Sequence, residues 1–298
     1  MQLHIFGATT PTGEALRLLA AKIEPDWQMQ VYSRHFASAK RCDFADPAGF
    51  LPAGVGIPSQ WISFGPIWLL APFLEQLAQH HPERLQDFRC LIACSSSSAL
   101  TKRFAANDFD RALVARLISS EEQLLATCRR LDVPCRILRP SLIYGQVGPY
   151  GDRNLSRLLA LMRQLPLVVL PSHSGLRQPI HASQLAAVAL ELAQQMFGSG
   201  LDPALPERIA LGGDNQLSYK AMLQALQQAL PANDPARHCR ICEIPNRLFF
   251  LLAAPLLLRS PKAFEAVLRI GADLAGFTPS HQLLNQPPQP FPILPLAL

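Results

Sequence analysis

Residues 1–23, MQLHIFGATTPTGEALRLLAAKI, constrain this chain more than any other stretch. The apolar run 3–6 meets Gly7, and Gly13 lies just inside an amphipathic segment that begins at Pro11. A strand, a tight glycine turn and a helix in that order form the opening unit of a dinucleotide-binding fold. In such a turn the first glycine allows the bend. The second lets backbone approach a pyrophosphate, and the third lets helix and strand pack closely. Gly7 and Gly13 stand in the first and third places, but the second is Thr10. Thr10 gives up glycine's freedom and brings a hydroxyl. Set before Pro11, which suits a first helical position, it is placed to cap the helix. The helix N-terminus beyond it favours phosphate, so Thr9, Pro11 and Thr12 join the candidate loop.

Strand-like and helix-like segments go on alternating through the first two thirds of the chain. MQVYS, QWISF, RCLIAC and CRILRP read as strands, with helices over 66–79 and about 110–131 between them. This rhythm predicts an α/β fold, a doubly wound parallel Rossmann sheet with helices on both faces. Later helices are expected near 153–163, 183–195 and 219–230, with a strand at RIAL. The expected division is a nucleotide-binding domain from 1–140 and 180–212, with a smaller C-terminal substrate or partner lobe from 141–179 and 213–298.

Hydrophobic residues make up 49% of the chain and charged residues 16%, enough for a large core. The net charge of +5 comes from scattered Lys and Arg with few aromatics, so no nucleic-acid surface is expected. Seven cysteines, an odd number, follow an N-terminus that is already a strand; free thiols and a cytoplasmic location are the natural reading. Cys239 and Cys242 form a C-x-x-C with no second pair, so no metal site is expected. LFFLLAAPLLL at 248–258 is too short to span a bilayer and holds Pro255. A core-facing or cleft-covering helix is expected there, and peripheral contact with a membrane surface stays open. The proline-rich tail NQPPQPFPILPLAL is expected to lie extended.

The second strand ends in Ser33-Arg34-His35. An acid here would bond the ribose hydroxyls and favour NAD, whereas an Arg accommodates a 2′-phosphate, so NADP is expected over NAD.

Taken together these segments resemble the short-chain dehydrogenase/reductase superfamily, in its extended and atypical epimerase/dehydratase branch. GATTPTG is similar to the family's G-A-T-G-x-x-G, and CDFAD to its adenine-contacting stretch, which implies roles for Asp43 and Phe44. SFGPIW places Phe64 and Gly65 beside the adenine ribose, and ILRPSLIYG, with Pro140, is similar to the family's i-l-R-P-x-x-v-Y-G. ACSSSSAL resembles the strand end that carries a catalytic hydroxyl, which maps to Ser96. GLRQPIHASQLAAVAL resembles the later r-x-x-x-v-H-v-x-D-l-A segment, with Gln184 in place of its Asp.

The family's chemistry needs a Tyr-x-x-x-Lys pair on the long helix before ILRP, where Lys lowers the phenol pKa for proton transfer. Counting back from Glu122 puts Val114 at the Tyr position and Ile118 at the Lys position, and 108–131 contains neither Tyr nor Lys. Tyr144 and Tyr150 are the candidate substitute donors. Two functions remain open. One is a cofactor-binding protein without its family's catalysis: a redox sensor or an assembly partner, as degenerate members such as the complex I accessory subunit imply. The other is an oxidoreductase or epimerase/dehydratase acting on an apolar carbonyl or hydroxyl substrate through a substitute donor. The ligands expected are a nicotinamide dinucleotide and an unidentified small molecule or protein.

Overall fold

The computed structural model describes residues 1–294 apart from 35–39, 53–55, 106, 256–259, 261–264 and 266. His35 and residues 256–258 of the apolar stretch therefore lie outside the described residues.

The chain opens with β1 (Gln2–Phe6), α1 (Pro11–Ile23), β2 (Gln28–Ser33), β3 (Lys40–Arg41) and β4 (Ser59–Ser63). It continues with α2 (Ile67–His80), β5 (Phe88–Cys94), α3 (Ser98–Thr101), α4 (Asp108–Arg130) and β6 (Cys135–Pro140). All five residues of β1 and of β4 are buried, as befits central strands covered on both faces. These six strands lie side by side in the order β6-β5-β4-β1-β2-β3, every pairing parallel. That is the doubly wound order, with its switch point between β1 and β4. α2 and α4 pack on one face of the sheet, where Phe6, Tyr32, Trp61 and Leu74 share a core. α1 and the later α6 (Ala182–Ser199) pack on the other, around Leu3, Ile5, Leu16 and Leu190.

Between β6 and α6 run short strands β7 (Ile143–Tyr144), β8 (Gln146–Val147) and β9 (Tyr150–Gly151), then α5 (Asn154–Gln164). Strands β10 (Leu167–Pro171), β11 (Leu176–Arg177) and β12 (Ile180–His181) follow. After α6 come β13 (Arg208–Gly212), β14 (Leu217–Ser218), α7 (Tyr219–Ala229), β15 (Arg240–Ile244) and α8 (Asn246–Ala253). The last elements are β16 (Thr278–Pro279) and α9 (Ser280–Leu284). A third core joins α5 to α7 through Leu155, Leu159, Met222 and Leu226.

Two expectations change. Residues 213–298 do not all belong to the smaller lobe: β16 pairs with β13 as the outer strand of the main sheet, and α9 packs on α6. The described part of the 248–258 stretch is not core-facing: no residue of α8 is buried, and Leu251 and Leu252 are 69% and 67% exposed. No described helix is long and apolar enough to cross a membrane. Cys239 is buried and Cys242 exposed.

Candidate functional site

The site begins where β1 and β4 end. Gly7 has a φ of +78°, and a Cβ there would stand 2.9 Å from the Gly65 nitrogen and the Phe64 carbonyl carbon. Only glycine permits both the left-handed turn and that closeness of two backbones. A Cβ on Gly13 would come within 2.4 Å of the Gly7 oxygen and 2.7 Å of the Ala8 Cα. The third glycine thus lets the helix fold back on its own loop.

Thr10 resolves the missing second glycine. Its φ of −120° is ordinary for a threonine, so the backbone has no need of glycine there. The hydroxyl accepts the Gly13 N–H at 3.0 Å and donates to the Gly7 oxygen at 2.8 Å, pinning the loop at both ends. Pro11 is the first helical residue, as expected.

A cavity of about 390 Å³ opens beside this loop, at the switch point. Gly7, Thr9 and Thr10 line it from the turn, Ser33 and Arg34 from the end of β2, Phe64 and Gly65 from the end of β4. Asp43 and Phe44 close the opposite side. The Phe44 ring lies 5.7 Å from that of Phe6 and 4.9 Å from that of Phe73. It fits because residue 65 is glycine: a Cβ there would come within 2.8 Å of the ring. Asp43 accepts the Ala45 N–H at 3.0 Å, which fixes the turn that carries Phe44. Arg34 is exposed, and no carboxylate among the described residues pairs with it.

The hollow continues past the loop. Thr9, Thr10 and Phe64 also line a second cavity of about 470 Å³, together with Pro11, Thr12, Cys94 and Tyr150. Arg153 and Asn154 line that cavity and also a third, of about 300 Å³, between Ser97 on the sheet side and Leu158 and Met222 of the smaller lobe. The shared walls make one trough, running from Arg34 past the N-terminus of α1 to α5 and α7. It fits an extended dinucleotide: a cation without a carboxylate at one end, apolar rings beside it, helix N–H groups midway.

Four expected residues sit elsewhere or differ in role. Pro140 is buried at the end of β6 and lines none of these cavities; its carbonyl accepts the Ser97 N–H at 3.0 Å. Ser96 turns its hydroxyl to the Ser98 N–H at 3.1 Å, opening α3, and Ser97 rather than Ser96 faces the trough. Tyr144 is 1% exposed, edge-on to the rings of His181 and Phe291, and its oxygen accepts the Ile293 N–H at 2.9 Å. Burial raises its phenol well above the usual value. It anchors the tail and is closed off from the trough. Gln184, in place of the family's Asp, bonds the His181 N–H at 3.0 Å as part of a capping box and donates to Asp214 at 2.9 Å.

The register of α4 also shifts by one residue. Glu122 points to solvent, whereas Glu121 is fully buried. Glu121 accepts the Ser95 hydroxyl at 2.5 Å and pairs with Arg139 of β6 and Arg208 of β13. Counting back from the inward acid puts Leu113 and Leu117 where Val114 and Ile118 were expected. All four are apolar, and α4 carries no Tyr or Lys at any register. Sequence reading missed Glu121 because both members of the Glu-Glu pair fit the pattern. It missed Arg153 and Arg157 as a pair, although their spacing of four residues on an expected helix was visible.

Neither a protein-family model nor a curated protein matches the sequence. Solved structures do. A nucleoside-diphosphate-sugar epimerase from Staphylococcus aureus aligns over 97% of this chain and 98% of its own, with a TM-score of 0.61 and 15% identity. A human epimerase family protein solved with NADPH aligns over 92% and 90%, with a TM-score of 0.59 and 13% identity. The UDP-glucuronic acid 4-epimerase of Bacillus cereus, solved with NAD, aligns over 82% and 86%, with a TM-score of 0.59 and 14% identity. The eight-stranded sheet, its switch-point cavity and these likenesses agree: the chain has the fold of the NAD-dependent epimerase/dehydratase-type short-chain dehydrogenase/reductases.

Proposed function

We propose that the chain is a cytoplasmic NADP(H)-binding protein of this atypical type, lacking the phenol–lysine pair and acting as a redox sensor or assembly partner without fast turnover. The observation that carries the reading is the convergence of the loop, the β2 end and Asp43–Phe44, widely spaced in sequence, on one cavity at the switch point. Phe44 and Phe64 would flank the adenine, Arg34 would take the 2′-phosphate, and the N-terminus of α1 would take the pyrophosphate. When bound, the nicotinamide supplies hydride transfer.

A second reading, a weak reductase or epimerase acting through another proton donor, is supported by Tyr150. Its phenol lines the trough with Thr9 and Cys94, where Tyr144 does not. Exposed Leu251 and Leu252 keep peripheral membrane contact within the proposal.

The test is a titration with NADPH and NADH of the parent protein and of Arg34→Ala. A charge-assisted phosphate contact contributes about 1.5–3 kcal/mol, so the variant should lose roughly 10–100-fold in NADPH affinity and keep its NADH affinity. Equal binding of NADH and NADPH by the parent would refute the assignment.

A further inference from the structure

The far end of the trough is a cationic pocket with a greasy floor. Among the described residues three arginines line the 300 Å³ cavity, Arg153, Arg157 and Arg177, and no acid does. No carboxylate among the described residues pairs with any of them. Arg153 is the N-cap residue of α5 and Arg157 lies four residues on, inside its first turn. Arg177 is buried at 6% exposure. Its guanidinium bonds only carbonyl oxygens, of Leu176 at 2.8 Å, Ala272 at 2.7 Å and Arg269, and lies over the Tyr219 ring. Asp273, which acts on it electrostatically, spends its carboxylate on the Leu176 N–H at 2.7 Å. Arg153 and Arg157 are exposed at the mouth and Arg177 is buried behind them, so an anion entering there meets positive charge on each side.

The N-terminus of α5 is not the anion site, because Asp152 already accepts its Asn154 and Leu155 N–H groups at 2.8 and 2.7 Å. Two of the remaining polar walls are committed. Gln178 bonds Gly213 and Phe277 through both ends of its amide, and the Ser141 hydroxyl donates to the Gln178 backbone oxygen. Ser97, Thr101, Asn154 and Tyr219 are the other polar walls, and Leu142, Leu158, Met222 and Phe277 are among the apolar ones. The apolar walls favour a ligand that brings an apolar body to them.

We propose that this pocket binds an amphiphilic anion: one carboxylate or phosphate head held by Arg153 and Arg157, on an apolar body set against Met222 and Leu158. The proposal rests on reading the trough as one site, and it names the substrate or effector class for that site's far end. Arg157 lines only this cavity, whereas Arg153 also faces the cofactor half, so Arg157 separates the two functions.

The experiment is calorimetric titration of the full chain, with and without NADPH, by octanoate and by octyl phosphate. 1-Octanol, acetate and UDP-glucose serve as comparisons. Octanoate or octyl phosphate should bind more tightly than octanol and acetate, and the tighter of the two identifies the head group. Arg157→Ala should weaken that binding about tenfold and leave NADPH affinity unchanged. Met222→Trp, which fills the floor, should abolish it and also spare NADPH. Equal binding of octanol, tighter binding of UDP-glucose, or an Arg157→Ala protein with undiminished octanoate and octyl phosphate affinity would each overturn the proposal. If NADPH fails to bind while the anions bind through Arg157, the cofactor reading falls and this inference stands.

Discussion

Glu121 offers the sharpest test of how the sheet supports the site. Its carboxylate is fully buried and holds three donors from three strands or strand ends: Ser95 after β5, Arg139 in β6 and Arg208 in β13. Replacing it with Gln keeps the volume and removes the charge. The new amide would point N–H groups at a guanidinium, and one side of Arg139 would lose its anion. Arg208, with a side chain 30% exposed, can turn to water; Arg139, at 11%, has little room to do so. Removing one partner of a buried pair typically costs about 3–5 kcal/mol, and the partial exposure of Arg208 places Glu121→Gln near the lower end, about 3 kcal/mol. Its neighbour Glu122 points to solvent, so Glu122→Gln should stay within about 0.5 kcal/mol of the parent. Urea denaturation of the three proteins at pH 7, monitored by far-UV circular dichroism, reads both differences. A Glu121→Gln protein within about 1 kcal/mol of the parent, or one no less stable than Glu122→Gln, would refute the assignment of Glu121 as the inward acid.

Other perturbations probe the loop and the core. Gly13→Ala drives a Cβ to 2.4 Å from the Gly7 oxygen, so the loop must move and NADPH affinity should fall more than tenfold. Thr10→Ala, which removes the cap and the bond to the Gly7 oxygen, should cost about 1–2 kcal/mol of stability and leave most binding intact; the opposite ranking by fluorescence titration would show Thr10 to be a direct ligand. His4 is buried in β1 against Trp61, and burial, with Lys40 adding to it, lowers its pKa to about 4. The unfolded chain protonates His4 near pH 6.5, so stability due to the neutral ring is present above that pH and is lost as pH falls toward about 4. Between pH 7.5 and pH 5 the loss should be about 2 kcal/mol, and it should vanish in His4→Gln when both are unfolded in urea.

What the sequence disclosed follows the range of the forces involved. The nucleotide loop is local: Gly7, Thr10 and Gly13 meet through two bonds that each span three residues and one close approach that spans six, so the pattern of the stretch contains its geometry. The parallel sheet was legible for a similar reason, since each apolar run needs only its own composition to declare itself a covered strand. The α4 register was not, because the choice between Glu121 and Glu122 is made by Arg139 and Arg208, 18 and 87 residues away. Tyr144 was misplaced because the group that claims its hydroxyl, the Ile293 N–H, comes 149 residues later. The membership of β16 in the main sheet was hidden likewise, a two-residue strand carrying almost no periodic signal. The far end of the trough combines both difficulties. Ser97, Arg157, Arg177 and Met222 belong to four separated segments, and their meaning lies in the absence of an acid among them, which no single segment can express. The loop at Gly7–Gly13 is therefore written in contiguous sequence. The far end of the trough arises only from long-range packing. There this chain's three arginines, none paired with a described carboxylate, set it apart from a pocket built for neutral, hydroxyl-rich molecules.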